Sequence, residues 1–405
     1  MTAENTVSDS ALQEEVRQWL KNNWTQEVAE ALKKESFTWE ASGTRQEWLN
    51  KVVEARWAVP TWEEKWFGRG LSKQQAKMIA KEFAKVGAPG SGQDRFNLWA
   101  NTLLAAGTEP LKEKLIAPLL KGEVNMCLLY SEPGAGSDLA GIRTRADLQG
   151  DHYIVNGQKV WTSGAKVADY GMLIARTDWD APKHKGISFF FCPMKQSGID
   201  VRPIRQITDE SHFNEVFITD AKVPAENMLS NPGDGWKVLN TALAYERSQM
   251  GEFARGAKGS NTASKENPLV TLAREHNQLE NQSLRQELAQ VIAYRQLNSL
   301  NTARAKANLS QGSSASIMSL GKLAMSRILH EEARMRTKII GAQSLLRGDE
   351  YPDAEGANFL ALNAYFTSIG GGTDQIQRNI IGERVLGLPK EPEVDKDIPF
   401  TEVRV

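Results

Sequence analysis

Between Tyr130 and Gly141 the chain reads Y-S-E-P-G-A-G-S-D-L-A-G. Gly134 and Gly136, with small hydroxyls at Ser131 and Ser137, give a loop of exposed backbone N–H groups. Such a loop suits the edge of a flat heterocycle and a polar ligand. It is not a dinucleotide fingerprint, because after Gly134 and Gly136 the third glycine position is Leu139 and no strand–helix unit surrounds it. By spacing alone a surface turn is the favoured reading. There is no G-x-x-x-x-G-K-[ST] phosphate loop and no G-x-S-x-G elbow, which weakens a serine-hydrolase reading. The histidines at 152, 184, 212, 276 and 330 lack metal-ligand spacing, so no metal site is expected. Glu246 followed by Arg247, in A-L-A-Y-E-R-S, reads on its own as a helical ion pair.

The elements that must carry these residues change character twice along the chain. Residues 1–123 read as helical: Leu12, Val16 and Leu20 form one apolar stripe, and the period returns in K-Q-Q-A-K-M-I-A-K-E-F-A-K after an interrupted loop from Val59 to Gly70. Trp57, Trp62, Trp66 and Trp99 are expected in the core of this part. From 124 to 233 strand signals dominate, with candidates at 170–177, 186–192 and 213–220. Asn156-Gly157, between two apolar arms, predicts a hairpin turn there. From 234 to 405 helical periodicity returns, marked by Leu284, Leu288 and Val291, then by Ile317, Leu320, Ala324 and Ile328. A polar loop, K-G-S-N-T-A-S-K-E-N-P, precedes them, and 257–272 is expected to be mobile. Helices, then strands, then helices without βαβ alternation indicate an α+β fold.

Composition narrows the function classes. With 405 residues, 40% hydrophobic and 24% charged, the chain has the mix of a soluble globular protein with a sizeable core. A formal net charge of -1 and no polybasic run argue against nucleic acid or an anionic membrane as partner. No stretch approaches the ~20 apolar residues that span a bilayer. The polar N-terminus does not resemble a secretory signal, and two cysteines, Cys127 and Cys192, are too few for a disulfide framework. A cytoplasmic location is expected.

Several ordered motifs together resemble the acyl-CoA dehydrogenase family over nearly the whole chain. They are G-T-E-P-L-K-E-K-L-I-A-P-L-L-K-G-E, the glycine-rich stretch, N-G-Q-K-V-W-T-S-G, F-N-E-V-F-I-T-D-A-K-V-P-A-E-N-M-L and the C-terminal G-G-G-T-D-Q-I-Q-R-N-I-I-G-E-R-V-L-G-L-P. The resemblance implies an N-terminal helical domain (1–123), a middle β domain (124–233) and a C-terminal four-helix bundle (234–405), assembled as a tetramer around FAD. It implies FAD-dependent conversion of an acyl-CoA to the 2-enoyl-CoA in lipid β-oxidation, with an electron-transfer flavoprotein as acceptor. Carried over by motif, Tyr130, Ser131 and Gly136 border the flavin, Trp161 covers one of its faces and Ser163 bonds near its N5. Ser137 meets the phosphopantetheine of the substrate, and Thr373 and Gln375 meet the FAD phosphate and adenosine regions.

The chemistry requires a carboxylate at the α-proton and donors at the thioester oxygen. Many members carry that Glu in a C-terminal Y-E-G-T; here Gly370 and Gly371 stand in its place. Other members place the base on the helix that opens the C-terminal part, and there this sequence has Glu246 followed by Arg247, as those members do. The resemblance therefore assigns the base to Glu246, with Arg247 and the Gly371 backbone N–H at the substrate. Losing two large side chains widens the cavity, which suggests a bulky or branched acyl group such as a steroid side-chain thioester. The R-x-x-F-G segment of many members is absent, and Arg274 is out of register for its role. Two alternatives remain: an FAD-holding subunit of a hetero-oligomer with a homologue, and an oxygen-using flavoenzyme of the same fold.

Overall fold

The structure is a computed structural model and describes residues 8–35, 43–256, 266–310 and 319–403. The chain divides into two compact units: residues 1–204, 211–259 and 394–405 form the first, and 205–210 with 260–393 the second.

Among the described residues the first unit opens with the helices α1 (Asp9–Asn23), α2 (Gln26–Lys34), α3 (Gly43–Glu54), α4 (Lys73–Val86), α5 (Gln93–Phe96), α6 (Leu98–Ala106) and α7 (Glu109–Lys121). Their starts follow side-chain chemistry. Ser8, Thr25, Asn97 and Thr108 each accept a hydrogen bond from a first-turn N–H, and Ser72 with Gln75 closes a reciprocal capping box on α4. The expected stripe Leu12, Val16 and Leu20 is buried on α1. Indoles fill the layer: Trp19 meets Trp48 at 5.5 Å and Phe83 at 6.0 Å, and Trp24 meets Trp48 at 4.6 Å. Trp57, Trp62 and Trp66 are buried as expected and Trp99 is partly so.

Eight strands follow among the described residues: β1 (Met126–Leu129), β2 (Arg145–Gln149), β3 (His152–Ser163), β4 (Tyr170–Arg176), β5 (Ile187–Pro193), β6 (Ile199–Ile204), β7 (Phe213–Pro224) and β8 (Met228–Leu229). They form one sheet in the order β6-β7-β3-β2-β4-β5-β8, with β1 parallel to β4. The hairpin expected at Asn156-Gly157 is absent: β3 runs straight through, and the β2–β3 turn is at Gly150-Asp151, with Gly150 at φ 64°. The physical reason lies in β7, which carries an extra residue opposite this point, with Asp220 at φ 50°. The Asp220 N–H donates to Asn156 Oδ1 at 2.9 Å, and Asn156 Nδ2 donates to Asp220 Oδ1 at 3.0 Å. A Cβ on Gly157 would lie 2.8 Å from Thr144 Cα, so the glycine serves close approach rather than a turn.

Helix α8 (Gly235–Gly256) closes the first unit. Gly235 sits against the β5 backbone, where an added Cβ would lie 2.6 Å from the Ile187 carbonyl oxygen. Val238, Leu239 and Ala242 enter the same apolar core as Leu103, Ile116, Ile174 and Phe189, so helices, sheet and α8 share one interior. The C-terminal residues return to this unit: the Phe400 N–H donates to Ala181 O at 3.1 Å, and Thr401 N–H to Trp179 O at 3.2 Å.

The second unit holds α9 (Pro268–Glu275), α10 (Gln282–Ser310), α11 (Ser319–Ile340), α12 (Pro352–Ile369) and α13 (Asp374–Arg384). Leu284, Leu288 and Val291 pack with Met335 and Ile339. The expected loop through 272 ends sooner, because Asn267 caps α9 at Leu269 N and Pro268 takes its first position. Residues 257–265 and Ile317 lie outside the described residues. Arg274 pairs with Glu266 at 2.6 Å within this unit.

Candidate active site

The site is built on β1, β3 and the loop between β1 and β2. At Val160–Trp161 strand β3 carries an extra residue relative to β7, and Trp161 takes φ 63°. The extra residue reverses the inward–outward parity of the strand. Lys159 and Thr162 point inward and are fully buried, while Trp161 and Ser163 share the exposed side. Trp161 is 59% exposed and touches Phe213 edge-on at 6.0 Å, leaving an indole face open. A left-handed backbone at a bulky residue costs roughly 1–3 kcal/mol and points to function. Val160 N–H donates to Ser131 O at 2.9 Å, which ties the glycine-rich loop to this bulge.

Tyr130 follows β1 and is buried, its hydroxyl 3.5 Å from Met172 Sδ. Burial pushes its phenol well above the ordinary value, and the Glu246 carboxylate adds to the rise. Tyr130 and Glu246, 116 positions apart in the sequence (246 minus 130), are thus electrostatic neighbours. Glu246 is half-buried and lies on the α8 stripe of Leu239 and Ala242. Arg247 follows on the helix, its side chain outside the described residues. The other side of α8, with Lys237, Thr241 and Tyr245, lines an open cleft of about 1200 Å³ together with Arg95 and His184.

Gly136 and Ser137 are exposed in the turn that follows a Glu132–Ala135 bridge closed by two 3.0 Å hydrogen bonds. Gly371, Thr373 and Gln375 belong to the second unit. There Gly371 and Gly372 take φ 66° and 86°, Gln377 Nε2 donates to Gly371 O at 3.1 Å, and Thr373 caps α13 through Ile376 N at 3.2 Å. Gln375 is exposed on the first turn of α13.

Three residues escaped the sequence reading. Lys159 Nζ is buried and donates to Tyr130 O at 3.1 Å and Glu132 Oε1 at 2.8 Å. The Glu132 carboxylate also accepts from Arg143 N at 2.7 Å and Thr144 N at 2.9 Å. Burial alone would push that carboxyl up; Lys159 and these donors outweigh it and hold it below the ordinary range. Arg176 is fully buried, and burial pulls its guanidinium down to about 10. The available signal was a lysine within an apolar strand arm and an arginine closing Y-G-M-L-I-A-R, both at positions where strands bury their neighbours.

A helical layer, one sheet whose bulge turns Trp161 outward, and a helix that carries Glu246 back into the same core are the frame of a flavin-dependent class of dehydrogenase. The chain belongs to the acyl-CoA dehydrogenase family: the family models for the N-terminal, middle and C-terminal domains match residues 6–123, 127–220 and 233–386. It is 34% identical over 392 residues to acyl-CoA dehydrogenase IpdE1 of Mycobacterium tuberculosis, covering 93% of this chain and 97% of that one. Among solved structures it resembles the Tcur3481-Tcur3483 steroid ACAD, with TM-score 0.67, 25% identity, and 96% and 100% of the two chains covered. It also resembles the ChsE4-ChsE5 complex of Mycobacterium tuberculosis, with TM-score 0.64, 27% identity, and 96% and 100% covered. The protein is an FAD-dependent oxidoreductase of acyl-CoA thioesters. Among the described residues no helix is long and apolar enough to cross a membrane.

The open indole of Trp161 beside Ser163 and Ser131 fits a flat tricyclic ring with polar edges. When bound, the flavin supplies a hydride acceptor at its N5.

Proposed function

We propose that this chain removes the α- and β-hydrogens of a bulky or branched acyl-CoA, with Glu246 as the base that takes the α-proton. The observation that carries the assignment is the half-buried place of Glu246 on the α8 stripe of Leu239 and Ala242, close enough for its charge to help raise the Tyr130 phenol at the head of the loop assigned to the flavin. A carboxylate there serves a proton that only a positioned base can remove. Ser131, Gly136, Trp161 and Ser163 hold the flavin ring, and Thr373 and Gln375 its phosphate and adenosine. Ser137, Arg247 and the Gly371 N–H receive the thioester and its pantetheine. The small Gly370-Gly371 pair supports a wide acyl site, as do relatives such as the steroid ACAD. We assign electron transfer to an electron-transfer flavoprotein, a cytoplasmic location and a tetramer.

The test is anaerobic. The purified protein, loaded with FAD, is mixed with straight, branched and steroid-like acyl-CoAs while flavin absorbance is followed. Rapid bleaching fastest with the bulky members is expected; a preference for short straight chains rejects the acyl-group reading. Glu246→Gln should keep FAD and lose bleaching by ~10²–10⁴-fold. Activity near wild type would remove Glu246 from the mechanism.

A second reading has its own support, since both similar solved structures pair two differently named proteins. In it this chain is one subunit of a mixed tetramer. FAD bound below one per chain when expressed alone, restored by a co-expressed homologue, would favour it.

A further inference from the structure

The loop from Tyr130 to Ile142 is held from below by two buried cations, one at each end. At the first end Lys159 Nζ donates to Tyr130 O at 3.1 Å and pairs with Glu132 at 2.8 Å. At the second end Arg176 has, among the described residues, no carboxylate within hydrogen-bond reach. Its Nη2 donates to Ala140 O at 2.7 Å, its Nε to Ile142 O at 3.2 Å and its Nη1 to Lys183 O at 3.1 Å. Its guanidinium carbon lies 3.4 Å from the Phe400 ring centroid, so the returning C-terminal segment supplies the remaining face. Next to it Lys183 bridges Asp138, beside Ser137, at 3.2 Å and Asp395 at 2.9 Å.

Stability alone does not call for these charges, since apolar replacement of a buried ion pair is often neutral or stabilising. An apolar side chain cannot hold a loop carbonyl, however. The carbonyls held by Lys159 and Arg176 belong to residues that flank two different contacts. Tyr130 precedes Ser131 at the flavin edge, and Ala140 follows Ser137 at the substrate. No helix or strand runs through 131–138; within it the Glu132–Ala135 bridge and the Val160 N–H bond to Ser131 O are local ties. Where that locally tied turn sits, and its hydroxyls with it, is set also by the two ends of the loop.

We propose that Lys159 and Arg176 are positioning residues with separate duties: Lys159 sets the flavin end of the loop and Arg176 sets the thioester end. Neither touches flavin or substrate; each acts through the loop backbone. This inference rests on the site assignments above.

The test compares variants for FAD affinity, the visible flavin spectrum, acyl-CoA KM and thermal melting of the FAD-free protein. Because Lys159→Met alone leaves Glu132 buried without its cation, the double variant Lys159→Met/Glu132→Gln is the main probe. It should melt like wild type, lose about tenfold or more in FAD affinity and shift the flavin bands. Its KM, once saturated with FAD, should stay within about twofold. Arg176→Lys should do the reverse, raising KM about tenfold with FAD affinity and spectrum unchanged. Equal effects of both variants on both readouts, or no effect beyond melting, would overturn the division of duties. Trp161→Ala and Ser137→Ala tell the two levels apart. If these leave FAD affinity and KM untouched, the site assignment fails; if they act and the cation variants do not, only the present inference fails.

Discussion

Two carboxylates in the first unit are buried by opposite means, and the contrast separates stability from positioning. In the helical layer Glu82 is 4% exposed, and its partners reach in from the surface: Arg17 at 3.0 Å, Lys85 at 2.7 Å and Gln13 at 2.7 Å. Arg17 and Lys85 are 47% and 58% exposed, so their charges stay solvated. In the sheet Glu132 meets a lysine that is itself fully buried. Helices of α1 and α4 need only be tied to each other, and flexible surface cations do that at little desolvation cost. The loop above β3 must be fixed to within a hydrogen bond's tolerance, and a dehydrated lysine does that at the expense of solvation. Burial of both partners, rather than ion-pair distance, marks the pair that serves the site.

The largest expected effect lies at the sheet pair. Either Glu132→Gln or Lys159→Met alone leaves a buried polar group mismatched and should cost ~3–5 kcal/mol in urea unfolding. The double variant should cost much less than the sum, since no charge is left stranded. Additive losses in that cycle would mean the two residues are energetically independent, and the contrast with Glu82 would collapse.

Next comes Glu82, whose hydrogen bond from Arg17 leads the forces that hold its carboxyl down to about 2 from 4.5. The folded value lies below the unfolded one, so the stabilisation is fully present above the unfolded value. It is lost as pH falls from 4.5 toward 2. Glu82→Gln should therefore lose on the order of 1–2 kcal/mol near neutral pH, discounted for solvent screening of its exposed partners. At pH near 2 the variant and the wild type should unfold alike. A pH-independent difference would assign the loss to packing instead of charge.

These regions also differ in how far their sequence discloses them. Helical periods place α1 and α4 directly, since Leu12, Val16 and Leu20, or Ala76, Ile79 and Phe83, repeat with the turn and nothing interrupts them. Strand parity is fragile by comparison. One extra residue at Val160–Trp161 moves the indole to the outside, and one in β7 turns an expected hairpin at Asn156-Gly157 into a straight passage. Local pattern cannot register either, because each bulge is defined by the partner strand. Trp161, Ser131 and Ser163 follow from motif resemblance, whereas Lys159 and Arg176 offer only their places in apolar strand arms as a signal, and Glu132 offers none. The influence of the Glu246 charge on Tyr130 depends on α8 returning to the first unit's core through Leu239 and Ala242, a tertiary fact beyond any window of sequence.

The smallest expected effect concerns an ion pair with the shortest contact of the three. Lys65 Nζ lies 2.6 Å from Glu109 Oε2, and the two side chains are 54% and 56% exposed. The hydrogen bond that Lys65 donates to Glu109 raises the Lys65 value and lowers the Glu109 value. Distance alone would rank this pair above both Glu82 and Glu132. Solvation reverses the ranking, because water screens the attraction and two long side chains lose rotamer freedom to make it. Lys65→Ala should leave Tm unchanged within measurement, and raising salt should not distinguish variant from wild type. A fall in Tm as large as that of Glu82→Gln would show that contact distance, and not burial of the partners, sets the order among these pairs.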